Sequence, residues 1–184
     1  MVEKHILFHG TDCNPQSYWY PWLKERLKER GDDVEIPHYP KLNHEPIDQS
    51  LERVLGEYTF DDKTTLIGHS AGAPLILAIL NAIDTPVKQA ILVAGYVRTK
   101  GEETEPDSVL LEEYDWGKIR GNAGSFVFIN SDNDPWGCND IEGRYILDKV
   151  GKGVQVVMKG EGHMGSDSFN QPYREFPLLD RLIE

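Results

Sequence analysis

Cysteine is scarce in this 184-residue chain: Cys13 and Cys138 are the only two. Two cysteines cannot make a disulfide framework, and in a reducing compartment a bridge between them is out of place. Both read as small buried hydrophobes. Long hydrophobic runs are missing as well. None approaches the roughly eighteen residues that a membrane-spanning helix needs. The N-terminus lacks a charged start followed by an apolar stretch, so no signal peptide is expected. Basic residues are in short supply, 19 against 31 acidic, for a net charge of −12. Such a surface repels nucleic acid and anionic membranes, so neither is expected as a partner. The charge favours solubility and names no substrate. The six histidines form no H-E-x-x-H and no ligand spacing with cysteine, which leaves a catalytic metal without support. Nor is there a repeat, a low-complexity tract or a boundary in composition. The expectation is a soluble, cytoplasmic, single domain over residues 1–184, with 39% apolar and 10% aromatic residues to build its core.

The most informative feature present is Gly68-His69-Ser70-Ala71-Gly72, a G-x-S-x-G pentapeptide. It follows an apolar, β-branched run, Thr64 to Ile67, and precedes an apolar helical pattern from Ala73 to Ile83. In that setting the motif has a mechanism. A sharp strand-to-helix turn lifts the serine hydroxyl above the sheet edge, and the glycines leave room for neighbouring backbone. Ser70 is therefore the candidate nucleophile.

A serine needs a base, and the base needs an acid to orient it. In α/β-hydrolases these follow the serine in the order acid, then histidine. His163 is the only histidine after Ser70. It lies in a glycine-rich loop just past the apolar run Val154 to Met158. The acid comes from the end of another apolar run, Ser125 to Asn130, which leads into Ser131-Asp132-Asn133-Asp134-Pro135. Asp132 and Asp134 are both placed to serve, and Asp140 lies further on. Turn chemistry alone would also explain an Asp-Asn-Asp-Pro sequence. An oxyanion hole needs two backbone N–H groups. Ala71 at the helix start supplies one. Thr11 or Asp12, after the early strand ending in His9-Gly10, supplies the other.

Along the chain, strands alternate with helices. Strands are expected at 6–8, 34–36, 64–67, 88–94, 125–130 and 154–158. Helices are expected at 17–30, 47–55 or 57, 73–83, 141–150 and 173–183. This alternation implies a largely parallel sheet of about six strands with right-handed crossovers, an α/β fold flanked by helices. Residues 96–124 stand out as charged and turn-rich, with seven carboxylates and no basic residue between Glu102 and Asp115. They read as a short cap-like insertion. Tyr114 and Trp116 within it are expected to tether that loop to the body.

Several segments together resemble the small serine hydrolases related to retinoblastoma-binding protein nine and its bacterial relatives. They are Trp19-Tyr20-Pro21-Trp22-Leu23, the Gly68-His69-Ser70 turn, Asp115-Trp116-Gly117-Lys118-Ile119, Ser131 to Pro135, and Gly162-His163. The resemblance covers essentially the full length. It implies a compact α/β-hydrolase fold with a minimal cap, ester or peptide hydrolysis, and no cofactor. It implies Asp134, the aspartate before proline, as the acid. The chain departs from the family pattern at Trp136-Gly137-Cys138, at Ala71 and Ala73, and at His9-Gly10-Thr11-Asp12. The expected function is acyl transfer from a small-molecule ester, amide or thioester to water by Ser70, His163 and Asp134, with Ala71 and Thr11 N–H groups as oxyanion donors. A non-catalytic binding protein on a hydrolase fold is the alternative. An acyltransferase with the same triad is a third reading.

Overall fold

A computed structural model describes residues 2–99 and 105–184. Six strands form one sheet in the order β2-β1-β3-β4-β5-β6, with every neighbouring pair parallel. The strands are β1 (Lys4–Phe8), β2 (Asp33–Glu35), β3 (Thr64–His69), β4 (Val87–Val93), β5 (Ala123–Ser131) and β6 (Val154–Met158). The helices are α1 (Tyr20–Glu29), α2 (Ile47–Glu57), α3 (Gly72–Ala82), α4 (Trp116–Gly121), α5 (Asp140–Val150) and α6 (Pro177–Leu182). Parallel strands need crossovers, and the helices supply them. With its faces covered, the sheet has fully buried strands at its centre: every residue of β3 is buried. β6 is an edge strand, with Val154 and Val157 half exposed.

The chain leaves β1 toward β2, then returns to place β3 on the other side of β1. Loops leaving β1 and β3 therefore diverge and open a crevice at the carboxyl ends of the strands. The register levels those ends. Phe8 is opposite Gly68, His69 opposite Val93, Val93 opposite Ile129, and Ser131 opposite Met158. The loops carrying Gly10, Ser70, Asp134 and His163 thus leave the sheet on one side. α3 is buried from Gly72 through Leu80, which explains why its sequence is apolar all round rather than striped.

Three elements differ from the sequence expectation. α1 begins at Tyr20 rather than Ser17, because Tyr18 has a left-handed backbone (φ 48°) and Pro21 sits in the first turn. α6 is the last six helical residues of an expected eleven. Phe176 before Pro177 is pushed out of the helical region (φ −139°, ψ 71°), and Tyr173 has φ 36°. α4 was not expected. It is six residues long and contains Gly117 and Gly121, so propensity and periodicity give it little signal. Its start is fixed by Asp115, whose side chain accepts from the Lys118 N–H at 2.9 Å. The expected insertion at 96–124 lies partly outside the described residues. Within it, Trp116–Gly121 is the crossover helix and Ala123 already opens β5.

Candidate active site

The turn between β3 and α3 holds Ser70 at φ 52°, the left-handed region. For a residue with a Cβ this costs on the order of 1–3 kcal/mol, and it persists because the surroundings over-determine it. The Ser70 N–H donates to the Val93 carbonyl at 2.9 Å, and its own carbonyl accepts from the Ala73 N–H at 2.9 Å. Both glycines of the pentapeptide are required by close approach. A Cβ on Gly72 would run into the Phe8 carbonyl of β1, and one on Gly68 would meet the Gly72 carbonyl. The turn buries His69 and Ala71 and leaves Ser70 half exposed.

The loops after β5 and β6 are laced together residue by residue. Asp132 accepts from the Gly160 N–H (2.8 Å), Ser131 Oγ from the Glu161 N–H (3.0 Å) and Asn133 Oδ1 from the Gly162 N–H (2.8 Å). Next in line, His163 Nδ1 donates to Asp134 Oδ2 at 2.7 Å. The Asp134 side chain is fully buried, and its other oxygen accepts from the Trp136 N–H at 2.8 Å. The structure therefore brings Asp134 to His163 and turns Asp132 elsewhere. Asp132 pairs with Lys159 at 2.7 Å, which holds its carboxyl below the usual range. Asp140 opens α5. The carboxylate on Nδ1 leaves Nε2 of His163 for the cleft that it shares with Ser70. Among the described residues neither the Ser70 hydroxyl nor this Nε2 makes a hydrogen bond. General-base contacts of this kind tighten when substrate binds.

The oxyanion candidates are oriented by their own peptides. The Gly10 carbonyl accepts from His9 Nδ1 at 2.7 Å and from the Cys13 N–H at 3.2 Å. Because a trans peptide is planar, its N–H points opposite its C=O. Fixing the Gly10 oxygen turns the Thr11 N–H the other way. Thr11 lines the cleft beside Ser70, and neither its N–H nor that of Ala71 has a partner among the described residues. His9 itself is held in one tautomer, since Nε2 accepts from the Tyr39 N–H at 2.9 Å. Asp12 lies at the rim with its carboxylate on the exposed His44 (2.7 Å).

The cleft has a volume of about 340 Å³. Tyr18, Tyr96 and Trp136 are its aromatic walls, and Asp12, Asp107 and Asp167 its charged groups. None of these aromatics was singled out by the sequence as a wall, because aromatic residues at such spacing read equally well as core. Tyr114 and Trp116 do not line the cleft. Their rings stack at 5.0 Å and both pack against the hydrophobic core, so they tether their segment to the body as expected. Cys13 and Cys138 form no disulfide with one another. Cys13 lines the cleft, and burial pushes its thiol pKa up. Asp134, Cys138 and His163 offer ligand atoms within 4.8 Å of one another. Two of the three are already spent on the hydrogen bond between Asp134 and His163.

Burial lowers the pKa of His5 and His9, and brings His69 down to about 3, with the neighbouring His163 adding to the shift. The unfolded chain takes up protons on these groups near pH 6.5, while the folded state resists. Stability should therefore fall as pH drops from about 6.5 toward 3, by up to ~1.4 kcal/mol per pH unit from His69, with His5 and His9 adding in the same direction, and be flat in these groups above 7. Urea midpoints measured from pH 8 to pH 4.5 check this. No loss before pH 4.5, where carboxylates begin to titrate, would contradict it.

A serine hydrolase family model matches residues 5–181. YdeN of Bacillus subtilis strain 168 is 27% identical over 137 residues, covering 73% of this chain and 72% of that protein. Its crystal structure superposes with a TM-score of 0.87 at 22% identity, over 98% of this chain and 96% of YdeN. The rat serine hydrolase RBBP9 is 30% identical over 126 residues, 64% of this chain and 63% of RBBP9. A carboxylesterase structure from Nitrososphaera gargenis shares the fold at TM-score 0.69 and 11% identity, over 88% of this chain and 83% of that one. No helix among the described residues is long and apolar enough to cross a membrane.

Proposed function

This chain belongs to the serine hydrolase family, and from that premise we propose that Ser70, His163 and Asp134 form its catalytic triad and cleave a small ester, or an amide or thioester, through an acyl-enzyme. His163 Nε2 takes the proton as Ser70 Oγ attacks the carbonyl carbon. Asp134 fixes the tautomer and stabilises the imidazolium. The N–H groups of Ala71 and Thr11 receive the oxyanion, and collapse of that intermediate expels the leaving group with the proton from His163. Water, deprotonated by the same histidine, then releases the acid and restores Ser70. The observation that carries this reading is the buried 2.7 Å bond from His163 to Asp134, beside a serine held at positive φ in the same cleft. The aqueous, cytoplasmic setting and the single domain belong to the proposal.

Labelling by a fluorophosphonate probe tests it: a stoichiometric adduct on Ser70 is expected. A protein that folds but takes no label would instead be a binding protein on a hydrolase fold.

Substrate size follows from the cleft. At about 340 Å³ it sits at the small end of ligand pockets and carries three carboxylates among its lining groups. A deep apolar tunnel would add roughly 0.8 kcal/mol per buried CH₂ and favour long chains steeply. Short acyl esters, about C2 to C6, are therefore expected to be preferred, with no activation at a lipid–water interface. A kcat/KM that climbs steadily from C4 to C12 p-nitrophenyl esters would refute this.

A further inference from the structure

His69, in the open position of the pentapeptide, is buried and lies with its ring centroid 5.0 Å from that of His163. Its Nε2 donates to the backbone carbonyl of His163 at 2.9 Å, so Nδ1 is left as an acceptor, and the Tyr20 hydroxyl donates to it at 2.7 Å. The oxygen of Tyr20 in turn accepts from the Gly10 N–H at 3.3 Å. One chain of hydrogen bonds thus runs from the loop of the proposed oxyanion donor, through the first residue of α1, to the backbone of the proposed base. Its direction is unique: the Gly10 N–H can only donate and the His163 carbonyl can only accept, and reversing the His69 tautomer would set a lone pair against that carbonyl. The two residues before Tyr20 fasten the same loop. Trp19 Nε1 donates to the Met164 carbonyl at 2.9 Å, and the Tyr18 hydroxyl accepts from the Asp167 N–H at 3.2 Å.

We propose that Tyr20 and His69 are a positioning pair for catalysis, locking the His69 tautomer so that the His163 backbone and the Gly10 backbone, which leads into Thr11, are held at fixed places on either side of Ser70. The inference rests on the triad reading above. Tyr20 does not line the cleft, and His69, which borders it, has both ring nitrogens spent on these bonds, so neither acts on the reacting atoms in this assignment. Burial supports it, because a His69 kept neutral adds no charge next to an imidazolium forming on His163. Gly10 is held on both sides of its Cα, its N–H by Tyr20 and its carbonyl by His9 and Cys13, so losing the Tyr20 hydroxyl frees the His9–Gly10 peptide, the neighbour of the one that carries the Thr11 N–H.

The test is p-nitrophenyl acetate turnover normalised to sites titrated with a fluorophosphonate, on Tyr20→Phe, His69→Leu, His69→Gln and the double variant Tyr20→Phe/His69→Leu. Misplacing a catalytic group by about 1 Å can cost on the order of 100-fold. Tyr20→Phe should lower kcat per titrated site by about tenfold or more with KM within about twofold. His69→Leu should lose at least as much. His69→Gln, whose amide N–H can occupy the place of Nε2, should recover most of the rate. Members of one unit are not additive, so the double variant should be no slower than His69→Leu. A wild-type kcat per titrated site in Tyr20→Phe, with only the number of titratable sites reduced, would mean a purely structural tyrosine and overturn the proposal. So would losses that multiply in the double variant. Ser70→Ala run alongside checks the triad separately: if it still labels and turns over, the triad reading has failed, whatever the pair does.

Discussion

Ser70→Ala should abolish hydrolysis of p-nitrophenyl acetate while leaving the fold in place. Removing a member of a serine triad typically lowers kcat by about 10⁴–10⁶-fold, roughly 5–8 kcal/mol of barrier. The stability cost should be small. Ser70 is half exposed, its hydroxyl has no partner among the described residues, and the backbone bonds to Val93 and from Ala73 do not involve the side chain. Alanine tolerates the same φ of 52° about as well as serine does. The expected result is a variant with unchanged circular dichroism, a thermal midpoint close to that of wild type, and no measurable turnover. Retention of even a tenth of the wild-type rate in pure protein would remove Ser70 from the nucleophile's place.

The two aspartates of the β5 loop should separate cleanly. Asp134→Asn keeps the shape but replaces the acceptor on His163 Nδ1 with an amide, so the histidine loses its orientation and the imidazolium its countercharge. A fall in kcat of about 10³–10⁴-fold is expected. Asp132→Asn leaves that bond alone. It weakens the grip on Lys159 and on the Gly160 N–H, three residues ahead of His163, and should cost about tenfold or less through the loop. Steady-state kinetics on both variants decide the matter. If Asp132→Asn proves the dead enzyme, the pairing seen between Asp134 and His163 is not the one catalysis uses.

Much of this was legible in the chain. Alternation of apolar runs and helical patterns gave the parallel sheet, since a strand buried on both faces carries a continuous apolar run, as Ala90 to Val93 of β4 and Phe126 to Ile129 of β5 do. The G-x-S-x-G turn was legible because its geometry is local: a strand, a left-handed residue and a helix packed too closely for a side chain at Gly68 or Gly72. His163 could be found by order alone. Element ends were less legible. The helix at the C-terminus was read as eleven residues and is six, because a proline acts on the residue before it. The six-residue α4, with its two glycines, carries too little pattern to register.

What the sequence by itself determined about this protein is the class of fold, the family resemblance and a set of side chains able to do acyl transfer, because these follow from periodicity, chain order and local backbone chemistry. What only the tertiary structure decided is which side chains meet. Residues alone left Asp132 and Asp134 level, two positions apart in one polar turn. Pairing of β5 with β6 brings their loops together, and the side chains of Ser131, Asp132 and Asn133 take up successive N–H groups of the facing loop, leaving Asp134 against His163. The same holds for Tyr20, His69 and Gly10. They are separated by as many as 59 positions in the chain and joined only because β1 and β3 are neighbours and the Tyr20 side chain at the start of α1 reaches the residues that follow and end them. A hydrogen bond between residues so far apart leaves no period in the sequence, since its partners are chosen by strand order and not by spacing.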